Sequence, residues 1–129
     1  MRTIKFRGKS CSNGDWFYGN LYDYDKDGRT HICGLERGCL NIDPNTIGQF
    51  TGLLDKNGKE IYEGDIVKTK GNWGGVVTWN SRGYFYINDG YYTEEPDLLP
   101  LGSLNCYVRR DIDIVGNIHD NPELLKNNG

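Results

Sequence analysis

Apolar and polar residues alternate in short runs along this chain, and glycine, proline, asparagine or aspartate closes each run. That spacing predicts strands and turns rather than helices. TIKFRG (residues 3–8) sets Ile4 and Phe6 against Thr3, Lys5 and Arg7, the pattern of an edge or half-buried strand. WFYGNLYDY (16–24) is a second, aromatic-rich run, and RTHICGL (29–35) returns after the turn-like DKDG (25–28), which predicts a hairpin. A polar connection then leads to Asp43-Pro44-Asn45, which stops whatever precedes it.

In TGLLDKNGKEIYEGDIVKTKG (51–71) two corners are legible. Asp55-Lys56-Asn57-Gly58 places Asn57 and Gly58 where a hairpin needs residues tolerant of positive φ, as a type I turn closed by a glycine bulge. Leu53-Leu54 and Ile61-Tyr62 then face one another across two strands. Glu63-Gly64-Asp65 makes the second corner, with Gly64 free to take a conformation closed to other residues and the Asp65 carboxylate accepting from nearby backbone N–H groups. These residues read as architecture. Ile66-Val67 re-enters the core, and GGVVTWN (74–80) and GYFYIN (83–88) follow as two more strands joined around residues 80–83.

Residues 89–105 hold two prolines and an acidic pair, and read as a long loop with one turn of helix at 96–101. In DIDIVGNIHDNPELL (111–125), Ile112 and Ile114 belong to a closing strand broken by Gly116. Asp120 or Asn121 then caps a short helix whose first residue is Pro122. The fold class is mainly β: small bent antiparallel sheets with an SH3-like barrel, one long loop and a short C-terminal helix. The expected organisation is a single domain, with an N-terminal hairpin region at about 1–45 packed on a barrel-like region at about 46–125.

Composition narrows this picture. Among 129 residues, 36% hydrophobic and 12% aromatic, the chain carries enough core-forming side chains to fold, and 18 glycines match the many turns. A net charge of -3 gives no global attraction to nucleic acid or anionic lipid. The basic N-terminus lacks the apolar run of a signal peptide and no segment is long and apolar enough to span a bilayer, so a cytoplasmic protein with no membrane partner is expected. Cys11, Cys33, Cys39 and Cys106 are accordingly expected as reduced thiols, with Cys33 directed to the core.

The run QFTGLLDKNGKEIYEGDIV (49–67), the closing VGNIHDNPELL (115–125), and the opening IKFRG (4–8) with WFYGNL (16–21) resemble the YopX family of phage and prophage proteins. The two long motifs stand in the family's order and at similar separation, while residues 22–44 and 68–110 are not aligned. The resemblance implies one β-rich domain encoded by a bacteriophage or an integrated element. It implies no activity, and no catalytic residue is carried over.

Asp23, Asp25 and Asp27 before Gly28 fit the first half of a calcium loop, but its twelfth position falls on Gly34 where a bidentate Glu is needed. His31, Cys33, Cys39 and His119 lack the spacing of a zinc knuckle, and no nucleophile or phosphate-loop signature is present. No enzyme activity and no cofactor are therefore expected.

Aromatics offer the better lead. Trp73, Trp79, Tyr84, Tyr86, Tyr91 and Tyr92 crowd one sheet and its adjoining loop, and alternation sends Phe85 and Ile87 to the core while Tyr84 and Tyr86 face outward beside Lys68, Lys70 and Arg82. Trp79, Arg82, Tyr84, Tyr86, Tyr91 and Tyr92 thus form the candidate binding surface. The favoured function is a non-enzymatic phage accessory protein, an interaction module that binds a host or phage protein and can self-associate. The alternative is a single-stranded nucleic-acid binder using the same aromatics.

Overall fold

The computed structural model describes residues 4–24, 29–34, 38–69, 73–81, 83–89 and 112–126. Ten strands run β1 (Phe6–Lys9), β2 (Trp16–Tyr24), β3 (Arg29–Gly34), β4 (Gly38–Ile42), β5 (Gly48–Leu54), β6 (Glu60–Tyr62), β7 (Asp65–Lys68), β8 (Gly74–Asn80), β9 (Tyr84–Asn88) and β10 (Asp113–Asn117), followed by helix α1 (Glu123–Lys126). The protein is mainly β. A six-stranded sheet has the order β4-β3-β2-β1-β5-β6 and a four-stranded sheet the order β10-β7-β8-β9. Neither closes into a barrel among the described residues. The chain divides into two compact units, Met1–Gly52 and Leu53–Gly129.

In the first unit, β2 and β3 pair from Asn20 opposite Cys33 to Tyr24 opposite Arg29, so the hairpin read from the sequence forms. β4 occupies what reads in the sequence as a polar connection. Its Leu40 and Ile42 meet Ile32 and Thr30 across the ladder, and the pairing partner supplies the strand that local composition does not announce. Asp43 then ends the run: its carboxylate accepts from the Asn45 backbone N–H, and Pro44–Thr46 make a single 3-10 turn. The core of this unit is Phe17, Ile32 and Ile42, with Phe6, Leu21, Leu40 and Ile47 packed against it.

Cys33 lies opposite Cys39 and the two form a disulfide, so the expectation of reduced thiols is corrected for this pair, as is that of a core-facing Cys33, while Cys106 lies outside the described residues. Alternation explains the direction: Ile32 takes the core face, and its neighbour must take the other. Cys11 is exposed and carries a free thiol.

In the second unit, Ile61, Val67, Val77, Phe85, Ile87 and Ile112 form the core, with Leu53 and Ile114 against it. β10 pairs with β7, and its register shifts between Ile114 and Gly116, at the break the glycine announces. The helix expected at 96–101 lies outside the described residues.

Candidate functional site

The outer face of the first unit's sheet gathers the residues best suited to binding. Along β1 every second side chain is cationic, so that when Phe6 packs on the core, Lys5, Arg7 and Lys9 share the opposite face. β2 obeys the same rule. Phe17 and Leu21 belong to the core, while Tyr18 and Tyr22 stand 46% and 49% exposed. Register places Lys9 opposite Trp16, Arg7 opposite Tyr18 and His31 opposite Tyr22. Paired positions share a face, so the three strands present one continuous surface of aromatic and basic side chains.

Cations and rings are in direct contact there. The Arg7 guanidinium lies 4.7 Å from the Trp16 ring centroid and the Lys9 ammonium 5.4 Å from it. The Lys5 ammonium lies 5.7 Å from the Phe50 centroid. Arg7 is buried, and the Trp16 π face supplies part of the electrostatic stabilisation that water would otherwise provide. At the paired positions of this face in β1–β4 no described residue is Asp or Glu, in a chain whose net charge is -3.

The aromatic surface expected on the other sheet is not assembled in the same way. Tyr86, expected to be exposed, is buried at 3%. Its correction has a clear cause: Phe85, Tyr86 and Ile87 are all buried, and so is Ile66, which lies opposite Val76 on the side of the ladder that Tyr86 shares. Buried residues therefore lie on both faces of this sheet, and alternation alone does not turn Tyr86 to solvent. Tyr84 is half-buried and Trp79 remains partly exposed, its ring 4.7 Å from that of Phe85 in an edge-on contact. Arg82, Tyr91 and Tyr92 lie outside the described residues, as does Lys70.

The turn residues are where the sequence puts them. Gly58 has φ 81° and Gly64 φ 92°, both in the left-handed region. The Gly58 N–H donates to the Asp55 carbonyl at 3.0 Å, and the Asn57 N–H to the Asp55 carboxylate at 2.8 Å. At the second corner the Tyr62 N–H donates to the Asp65 carboxylate at 2.7 Å.

Asp55 does more than its position in a turn suggests. Its carboxylate also accepts from the Lys59 N–H at 2.9 Å and from the Ile114 N–H at 3.2 Å, on β10. Burial pushes its carboxyl up, but the backbone donors of Lys59, Ile114 and Asn57, with the Lys59 charge, outweigh that and hold it below the ordinary carboxylate value. This is structural chemistry.

Among the described residues no three His, Cys, Asp or Glu side chains gather as a metal site. The Asp25-to-Gly28 part of the calcium-like loop lies outside the described residues. No helix among those described is long and apolar enough to cross a membrane.

Fold and surface together define a small protein of two antiparallel sheets with one aromatic and basic face. The chain belongs to the YopX family: the model of the YopX protein family matches residues 5–126. It is also similar to a solved structure, the crystal structure of protein EF1440 from Enterococcus faecalis. That match has a TM-score of 0.59 and 26% identity over 97% of this chain and 99% of that one. No curated protein matches.

The aromatic and basic face escaped the sequence reading although its signal was present. Lys5, Arg7 and Lys9 recur at a period of two, as do Trp16, Tyr18 and Tyr22 with one gap. What the sequence did not show was that β1 and β2 pair in the register that stacks these two series side by side.

Proposed function

We propose that this YopX protein is a non-enzymatic accessory protein of a bacteriophage or prophage, acting in the host cytoplasm as an interaction module. Its binding surface is the outer face of β1, β2 and β3. The observation that carries this reading is the pair of exposed tyrosines, Tyr18 and Tyr22, on a face edged by Lys5, Lys9 and Arg29 and free of described carboxylates at its paired positions. Exposed aromatics supply rigid contact area at low entropic cost, and cations around them select a negatively charged partner. A host or phage protein and a nucleic acid are the partner classes that meet this requirement. Self-association through the same face is disfavoured, because two copies would oppose like charges. SH3-like curvature of the region from about residue 46 belongs to this reading and rests on the Gly-Asp-led strand β7 followed by the β8–β9 hairpin.

The test is comparative capture from host cells. A variant with Tyr18→Thr and Tyr22→Thr keeps strand propensity and changes only exposed side chains. The wild-type chain is expected to retain a macromolecule that the variant does not. Identical eluates from two folded proteins would contradict the proposal.

A further inference from the structure

Three features compete for a more specific reading. The Cys33–Cys39 disulfide clips a short hairpin, but nothing beside it suggests a reacting partner. Trp73 and Trp79 are partly exposed, yet the Trp73 indole N–H already donates to Asp89 at 3.0 Å and Trp79 rests on Phe85. Among the described residues, the face of β1–β3 combines three properties in one place: planar side chains open to solvent, cations around them, and no described carboxylate at its paired positions.

We infer that this face binds single-stranded nucleic acid, with unpaired bases stacked on Tyr18 and Tyr22 and the phosphate backbone led along Lys5, Lys9 and Arg29. The inference rests on the reading of this face as the binding surface. Tyr18 and Tyr22 stand four residues apart on one strand and on one side of it, a separation of roughly 13 Å along β2. A flexible single strand can place two bases at that interval, since every base offers a π face and the backbone between them adjusts. Duplex DNA keeps its bases stacked on one another and offers these tyrosines only phosphate and sugar. An acidic peptide would satisfy the cations but carries no aromatic face at each step for the two rings to stack on, as a run of bases does.

The cation–ring contacts bear on the same conclusion. Arg7 and Lys9 both lie against Trp16, which fixes their charge at the floor of the face next to Tyr18. A guanidinium buried on a ring keeps its field without having to be ordered again when a ligand arrives. Lys5, Lys9 and Arg29 are the cations with exposed or half-exposed side chains, and they set how many phosphates are neutralised.

Fluorescence anisotropy of a labelled oligothymidylate, titrated with the purified full chain, tests the inference. Binding is expected in the micromolar range at low salt. The logarithm of the association constant should fall against the logarithm of salt concentration with a slope of about −2, for three phosphate contacts at roughly 0.7 each. Tyr18→Thr with Tyr22→Thr should weaken it about thirtyfold or more, the low end of the stacking range for two bases. Arg29→Ala, at an exposed position, should weaken it and make the salt slope shallower by roughly 0.7. Duplex DNA of the same length and polyglutamate should bind more weakly than the oligothymidylate. The inference is overturned if the oligothymidylate does not bind, if polyglutamate binds as well, or if the folded double-tyrosine variant binds it unchanged. If the oligonucleotide fails to bind while the double-tyrosine variant still loses a protein in the cell capture, only the choice of ligand is wrong. If the variant loses nothing in either experiment, the face is not the binding surface.

Discussion

The Asp55 carboxylate accepts the backbone N–H of Ile114 at 3.2 Å, across 59 residues of chain. The same carboxylate caps its own turn through Asn57 and Lys59, and the Lys56 N–H donates to the Ile112 carbonyl at 2.8 Å beside it. One buried charge thus ties the hairpin corner to the closing strand. Hydrogen bonds to a charged acceptor contribute about 1.5–3 kcal/mol each, and a buried donor left without its acceptor costs about 1–3 kcal/mol. Asp55→Asn removes the charge and one acceptor oxygen. It should lower stability by on the order of 2 kcal/mol in urea denaturation at neutral pH.

The acid limb of stability should carry the same signature. Asp55 is held below its ordinary value of 3.8, so the folded state binds fewer protons at this site than the unfolded state. Its contribution is fully present above about pH 5 and is lost as pH falls through 3.8 towards the lower folded value. Melting temperature measured from pH 6 down to pH 2.5 should drop less steeply in Asp55→Asn than in the wild type. Parallel curves would show that the site does not take part.

Each glycine corner makes a separate demand. Gly58→Val and Gly64→Val place a β-branched residue at φ 81° and 92°, and each should cost on the order of 1–2 kcal/mol or more. Thermal melting reads this directly, and unchanged midpoints for both variants would contradict the turn assignments.

Burial of Tyr86 makes its neighbour a useful control. Phe85→Ala should cost about 3–5 kcal/mol, as expected for a large side chain removed from a packed core. Tyr86→Ser should be destabilising by a comparable amount, whereas Tyr18→Thr with Tyr22→Thr should stay within roughly 1 kcal/mol of the wild type. A native-like Tyr86→Ser protein would return that side chain to the surface.

The disulfide should be visible in two ways. Alkylation without reductant should label Cys11 and spare Cys33 and Cys39, read by peptide mass. Because the bridge closes a segment with a sequence separation of only 6, its loss through Cys33→Ser with Cys39→Ser should cost about 2 kcal/mol by loop-closure entropy. Labelling of all three cysteines would show that the bond is absent.

The parts of the fold legible in the sequence are those where local chemistry and tertiary pairing agree. β2 and β8 begin and end where their runs do, and the Asn57-Gly58 and Gly64-Asp65 corners follow from residues that few other conformations would favour. β4 was hidden because a strand with Gly, Cys and Asn in five positions takes its structure from β3. Asp55 was legible as a turn residue but not as the tie to Ile114, since that bond depends on how the chain returns after 59 residues. Tyr86 misled because alternation tells which residues share a face and not whether that face is covered. The same rule, applied to Lys5, Arg7 and Lys9 with Trp16, Tyr18 and Tyr22, describes the basic and aromatic face well once the β1–β2 register is known.

The claim that this face is the working surface is tested most directly by tyrosine nitration with tetranitromethane, read by peptide mass with and without bound partner. In the free protein Tyr18 and Tyr22, nearly half exposed, should be modified, while Tyr62 and Tyr86, at 1% and 3%, should be spared. With saturating oligothymidylate, or with any macromolecule captured from host cells, Tyr18 and Tyr22 should become protected. Modification of Tyr86 with protection of Tyr18 and Tyr22 in the free protein, or a bound partner that leaves both of them reactive, would contradict the assignment of this face.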